Sequence, residues 1–195
     1  YLEKYLRASK ENDLVLVFLS GGGSALLPYP VNGIALKDKI QINKQLIESG
    51  ADIKEINTVR KHLSKIKGGN LIKFTYPSKV HCFILSDVIG DDISSISSGL
   101  TSPDSTTFND SKKILIKYKL WKNIPENVKN HLEKGLGKSE LETPKKTNKI
   151  FSNVRNTIIG SNYLCIKSIH EFCKRKNMNS KIWFKNVEMD VVELS

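Results

Sequence analysis

A chain of 195 residues, 39% hydrophobic and 26% charged, has the make-up of a globular domain rather than of a disordered or disulfide-stapled chain. No apolar run approaches the ~20 residues of a membrane helix, and residues 1–12 are too charged for a secretory leader, so the chain reads as soluble and cytoplasmic. A net charge of +11 would suit nucleic acid, but Arg7, Arg60, Arg155 and Arg175 are the only guanidinium forks and the lysines are spread along the whole chain, which argues for a solvated surface and against a nucleic-acid footprint.

In chain order, residues 1–12 open on a helical pattern. Leu14-Val15-Leu16-Val17-Phe18-Leu19 then closes in Ser20 and glycine, which predicts a parallel strand over 14–20, apolar on both faces and buried. The consecutive Gly21, Gly22 and Gly23 cost backbone entropy and imply that something approaches that backbone closely. After the break at Pro28-Tyr29-Pro30, Leu36, Ile40, Leu46 and Ile47 predict a helix over 36–48 that stops at Ser49-Gly50. Asn57-Thr58 suits the N-cap of a second helix with the apolar stripe Val59, Leu63 and Ile66, ended by Gly68-Gly69. Arg60, Ser64 and Lys67 fall on a neighbouring polar stripe, with Lys61 and Lys65 beside it.

Residues 80–86 predict a second buried strand that runs into Asp87-Val88-Ile89-Gly90-Asp91-Asp92. Helices are predicted over 107–120 and 127–134, a surface loop over 135–148, a third strand over 156–160, a helix over 163–176 and a candidate fourth strand over 180–184. Strands alternating with helices point to an α/β domain with a mainly parallel sheet. The chain begins inside a helical pattern and stops at Val191-Val192-Glu193-Leu194-Ser195 without a terminator, which reads as a fragment of a larger protein. Cys82, Cys165 and Cys173 are odd in number and widely spaced, and His62, His81, His131 and His170 stand singly, so reduced, buried thiols are expected and a zinc site is not.

Ser20-Gly21-Gly22-Gly23-Ser24 after a strand is a candidate anion cradle, in which glycines expose successive backbone N–H groups. It is neither a Walker A loop nor G-x-G-x-x-G, and Ser24 lacks the G-x-S-x-G elbow and histidine base of a hydrolase; a plain strand-to-helix turn is the simpler alternative. Asp87, Asp91 and Asp92 form a dense acidic group at the carboxyl end of a strand, where open α/β sheets keep their ligands. They suit Mg²⁺, which takes one or two carboxylates together with substrate phosphates, or a general base for a substrate hydroxyl; one of Asp91 and Asp92 could instead cap a helix over 93–97. Arg60, Lys61 and Lys67 supply the complementary charge. Phosphoryl transfer asks mostly for positioning and charge neutralisation, which these parts could supply together.

Residues 20–27 (SGGGSALL), 50–69 (GADIKEINTVRKHLSKIKGG), 85–92 (LSDVIGDD), 98–104 (SGLTSPD) and 158–162 (IIGSN) occur in this order in a pattern that resembles glycerate 2-kinases of the MOFRL-associated type. The resemblance covers residues 12–163. It implies a Rossmann-like α/β/α layered amino-terminal domain, to which residues 1–195 would belong, a family lysine in a Gly-Lys-Ala segment before residue 1, and a small carboxyl-terminal MOFRL domain that this chain lacks. It implies ATP-dependent phosphorylation of D-glycerate at the 2-hydroxyl with Mg²⁺, at a cleft holding Ser20, Gly21, Gly22, Gly23, Ser24, Lys67, Ser161 and Asn162 as binding residues, Asp87, Lys61 and Arg60 as catalytic residues, and Asp87, Asp91 and Asp92 as metal ligands. Leu100 stands where family members read proline, and the 185–195 tail matches the family poorly. The implied partner is a small-molecule substrate, with no nucleic acid or membrane, and homo-oligomer formation stays open. An NAD(P)H-dependent hydroxypyruvate reductase is the alternative, although no G-x-G-x-x-G fingerprint is present; a non-catalytic binding remnant of the fold is another.

Overall fold

The computed structural model describes residues 1–184, so the 185–195 tail lies outside the described residues. Three strands, β1 (Leu14–Leu19), β2 (Lys79–Leu85) and β3 (Val154–Gly160), pair in parallel in the order β1-β2-β3. Val80, Cys82 and Ile84 alternate into the core from β2, the period-2 signature of a strand with one packed face. In β1 the same alternation turns Leu19 inward and leaves Leu14, Leu16 and Phe18 exposed, with the Phe18 ring stacked on Phe83 at 5.5 Å. Burial of β1 on both faces is therefore corrected. Apolar residues on both faces of a strand record only that each face can be covered, and β1 pairs with one neighbour among the described residues.

The helices in chain order are α1 (Leu2–Arg7), α2 (Gly23–Leu26), α3 (Leu36–Glu48), α4 (Ile53–His62), α5 (Ile72–Thr75), α6 (Phe108–Lys117), α7 (Glu126–Gly135) and α8 (Asn162–Arg175). Residues 180–184 form no strand. α3 keeps the expected bounds, but of the expected stripe Leu46 alone is fully buried, beside Ile42, whereas Leu36, Ile40 and Ile47 are open. α4 starts earlier than Asn57-Thr58, because Asp52 and Glu55 close a reciprocal capping box, with the Glu55 N–H on Asp52 Oδ1 at 2.8 Å and the Asp52 N–H on Glu55 Oε2 at 3.2 Å. Asn57 and Thr58 are interior helix residues. Of the cysteines, Cys82 is buried as expected but Cys165 is exposed.

Two apolar clusters organise the packing. Ile42 and Leu46 of α3, Ile56 and Val59 of α4, Phe108 and Leu115 of α6, and Val128 and Leu132 of α7 make a helical core. Leu19, Ile66, Leu71, Cys82, Ile84, Ile96 and Leu100 make a second core under the sheet, so Leu100, where the family proline would stand, fills an apolar position. The turn after α4 joins the two: Leu63 belongs to the first core and Ile66 to the second. No helix of the described residues is long and apolar enough to cross a membrane.

Candidate active site

Each of the three consecutive glycines answers a different local demand. Gly22 has φ +85°, a left-handed conformation that glycine alone adopts without penalty, and it starts α2. A Cβ on Gly21 would lie 2.7 Å from Asp87 Oδ2, and one on Gly23 would collide with the Ser97 hydroxyl. The close approach implied by these glycines therefore includes side chains of the chain itself. β1 and β2, neighbours in the sheet, deliver Ser20–Gly23 and Asp87 from their carboxyl ends to meet there.

Between them lies a cleft of about 920 Å³. Ser20, Gly22, Gly23 and Ser24 line one side, Asn57 and Arg60 of α4 another, and Asp87, Gly90, Asp92 and Ser97 the third. A second recess of about 490 Å³ lies against the 86–91 turn, lined by Asp87, Asp91 and Asn162. Asp87 alone of the acidic trio lines both. It is exposed and carries no hydrogen bond among the described residues, so its carboxylate is free to act. Asp92 is engaged locally: it accepts from the Ser94 N–H at 3.0 Å, the Ser94 hydroxyl at 2.9 Å and the Ser95 hydroxyl at 2.6 Å. Burial would raise its pKa, but the Ser95 and Ser94 donors and the charge of Lys61 hold it below the usual carboxylate range. Ser161 serves as the N-cap of α8, accepting from the Leu164 N–H at 3.3 Å.

The three cationic candidates separate. Arg60 lines the cleft, its Nε donating to Asn43 Oδ1 at 3.1 Å. Lys61 points elsewhere, into a buried ion pair with Asp104 at 3.1 Å. Lys67 lies beyond the end of α4, is fully buried, and donates from Nζ to the carbonyl oxygens of Ser24 at 3.0 Å and Ser97 at 3.4 Å. Burial first, then the charges of Lys39 and Arg60, bring its pKa down from 10.5 to about 7.

Sequence reasoning missed the serine wall that faces the glycine loop. Ser97 and Ser98 sit at φ +51° and +58°, and Asp91 at +57°, left-handed conformations that cost non-glycine residues on the order of 1–2 kcal/mol each. Such strain marks functional segments when surrounding structure holds it in place. Here the Ser24 hydroxyl lies 3.2 Å from that of Ser98, which donates to Asn57 Oδ1 at 3.0 Å, and the N–H groups of Gly68 and Gly69 bond the carbonyls of Ser98 and Gly99 at 3.0 and 2.7 Å. The buried Ser97 hydroxyl has no hydrogen-bond partner among the described residues, and Ser97 lines the cleft. The signal was present: residues 50–69 and 98–104 both stood out as motifs, and the structure docks one on the other.

Among the described residues no three His, Cys, Asp or Glu side chains group to hold a metal ion. Asp87, which lines the cleft and the second recess, and Asp91 of that recess still fit a hard cation of the Mg²⁺ kind, which needs one or two carboxylates when phosphate oxygens complete its shell.

A strand-to-loop cleft at the carboxyl edge of a parallel sheet is the ligand site of the open α/β class. A family model described as Domain of unknown function (DUF4147) matches residues 2–133, and the chain belongs to that family. It is homologous to glycerate 2-kinases: the glycerate 2-kinase of Pyrococcus horikoshii is 42% identical over 94% of this chain and 41% of its own length, and the D-glycerate 2-kinase of Thermotoga maritima 39% identical over the same shares. A crystal structure of a Pyrococcus horikoshii protein superposes on 90% of this chain and 39% of its own at a TM-score of 0.81 with 43% identity. That of the Thermotoga maritima glycerate kinase superposes on 93% and 42% at 0.80 with 37% identity. The chain spans about two fifths of the length of the curated relatives it matches.

Proposed function

We propose that the natural protein transfers the terminal phosphoryl group of ATP to the 2-hydroxyl of D-glycerate, giving 2-phosphoglycerate and ADP. The observation that carries this reading is the convergence of the glycine loop, Arg60 and the unengaged Asp87 on one cleft, in a chain 42% identical to a glycerate 2-kinase. In the reaction the substrate hydroxyl oxygen forms a bond to phosphorus while the bond to the ADP oxygen breaks, and the hydroxyl proton leaves to a base. Asp87 is positioned for that proton or for a cation; Mg²⁺, when bound, would neutralise phosphate charge beside Asp87, with Asp91 of the adjoining recess as second ligand. Arg60 and the amides of Ser20–Ser24 bind anionic oxygens, and Lys67 holds the loop in place from beneath through the Ser24 carbonyl. Lys61 is assigned to positioning, because its charge is committed to Asp104. Asn162 reaches only the second recess, where Ser161 starts its helix.

Residues 1–195 are read as part of the larger amino-terminal α/β domain of a cytoplasmic enzyme. The test is to incubate the natural-length protein with D-glycerate and Mg-ATP and follow ADP release. Glycerate-dependent ADP supports the reading, whereas oxidation of NADH by hydroxypyruvate without ADP release overturns it.

A further inference from the structure

The inward face of α3 carries a residue that its amphipathic pattern does not ask for. Lys39 is 3% exposed, and among the described residues its Nζ has no hydrogen-bond partner. A helix with Ile40 and Ile47 available turns those isoleucines outward and keeps the lysine inside. Such a violation of local pattern is the mark of a site rather than of a core.

Lys39 does not stand alone. Its charge and that of Arg60 both bear on Lys67, and that of Arg60 bears on Lys39, so three cations from α3, α4 and the turn after α4 face one another. Among the described residues no carboxylate pairs with any of them. The neighbouring Asp38 is spent on the Ala35 N–H at 3.2 Å and the Asn127 amide at 2.7 Å. Burying like charges without a counter-ion opposes folding, so the cluster is not there for stability. Ser24 ties it to the cleft: it lines the cleft with Arg60, lines the adjoining groove with Lys39, and accepts from Lys67 through its carbonyl.

We propose that Lys39, Arg60 and Lys67 form a binding site for a phosphate dianion beneath Ser24 of the glycine loop, with Lys39 as a phosphate-binding residue. A carboxylate carries one charge and would leave two cations uncompensated, whereas a phosphate dianion presents two charges and several acceptor oxygens. Burial and the charge of Arg60 lower the Lys39 pKa to about 8, and Lys67 titrates at about 7, so an arriving dianion would draw protons onto both. The site deepens the kinase reading and relies on it only for the source of the phosphate, which is either nucleotide or phosphorylated product.

The experiment is calorimetric titration of the natural-length protein and its Lys39→Met variant with inorganic phosphate, a non-hydrolysable ATP analogue, phosphoglycerate and D-glycerate. Turnover is not needed, so failure here is distinct from failure of the kinase reading. Lys39→Met is expected to weaken inorganic phosphate roughly 10- to 100-fold while raising the melting temperature of the unliganded protein, because an uncompensated buried charge is gone. A parallel loss with the ATP analogue assigns the phosphate to nucleotide, and one with phosphoglycerate assigns it to product; each supports the site. Unchanged phosphate affinity with a lowered melting temperature overturns it, as does weakened D-glycerate binding with phosphate untouched. Should the variant not fold, phosphate binding to the unaltered protein in buffers of different protonation enthalpy decides: proton uptake near pH 8 supports the site, and none overturns it.

Discussion

Lys61 Nζ lies 3.1 Å from Asp104 Oδ1, and both side chains are buried. Asp104 also accepts from the Thr106 N–H at 3.1 Å and the Thr143 hydroxyl at 2.9 Å. Burial alone would raise its pKa, but the Lys61 charge and the Thr106 N–H hold it below the usual carboxylate range. The pair ties α4 to the 102–106 and 142–145 segments, behind the wall on which Arg60 faces the cleft.

Breaking this pair is expected to damage stability before chemistry. Asp104→Asn or Lys61→Met leaves an uncompensated buried charge or an unpaired acceptor, at a cost of roughly 3–5 kcal/mol. Urea unfolding would show a lowered midpoint, with KM for glycerate little changed in whatever fraction remains folded. A variant with unaltered midpoint and collapsed turnover would instead make Lys61 a catalytic residue.

The lysines behind the glycine loop set a pH dependence of the opposite sign to that of a lysine whose pKa an ion-pair partner raises. Lys67 titrates at about 7 in the folded chain against 10.5 ordinarily, and Lys39 at about 8, with Arg60 charged throughout and no paired carboxylate among the described residues. Between those limits the unfolded chain holds protons that the native chain lacks, so native stability rises with pH from about 7 towards 10.5. Below the folded pKa values both forms are protonated and the penalty is complete. Denaturant midpoints across this range should climb less steeply in Lys67→Met than in the unaltered protein, and equal slopes would contradict the assignment.

The glycine loop separates into residues needed for backbone conformation and residues needed for room. Gly22→Val places a β-branched side chain at φ +85° and is expected to lower stability by about 1–2 kcal/mol whatever binds there. Gly21→Ala meets only the free end of Asp87, whose carboxylate can swing away. Its melting temperature should hold while kcat drops, because the carboxylate no longer sits where the substrate hydroxyl needs it. A Gly21→Ala enzyme with full kcat would show that the contact with Asp87 has no role in turnover.

Asp87→Asn keeps the shape of an exposed side chain that makes no hydrogen bond among the described residues. Stability should shift by less than ~0.5 kcal/mol, and turnover should fall by about 10²-fold or more, the scale expected for a lost base or ligand. Near-normal turnover would remove Asp87 from both roles.

Much of the fold was legible because its signals are local. The strand over 80–86 and the helices over 36–48 and 163–176 rest on local residue patterns, and they stand within a residue of their expected bounds. The failures came where one signal was extended past its element. Counting i, i+4, i+7 from Val59 put Lys67 on a helix face, although α4 ends at His62 and Lys67 reaches the loop through an irregular turn. Counting isoleucines on α3 set aside Lys39, the inward residue that matters most. The glycines were legible as a site of close approach, but the approaching groups, Asp87 and Ser97, lie 66 and 74 residues away in sequence, and only the parallel pairing of β1 with β2 brings them there.

The central claim is that this cleft phosphorylates the 2-hydroxyl of glycerate. The most direct measurement is ³¹P NMR of the product formed by the natural-length protein from D-glycerate and Mg-ATP. The account predicts a phosphate ester split into a doublet by the single proton on the 2-carbon, formed about 10²-fold or more slowly by Asp87→Asn. A triplet from the two protons of a 3-phosphate, or no ester at all, would contradict it.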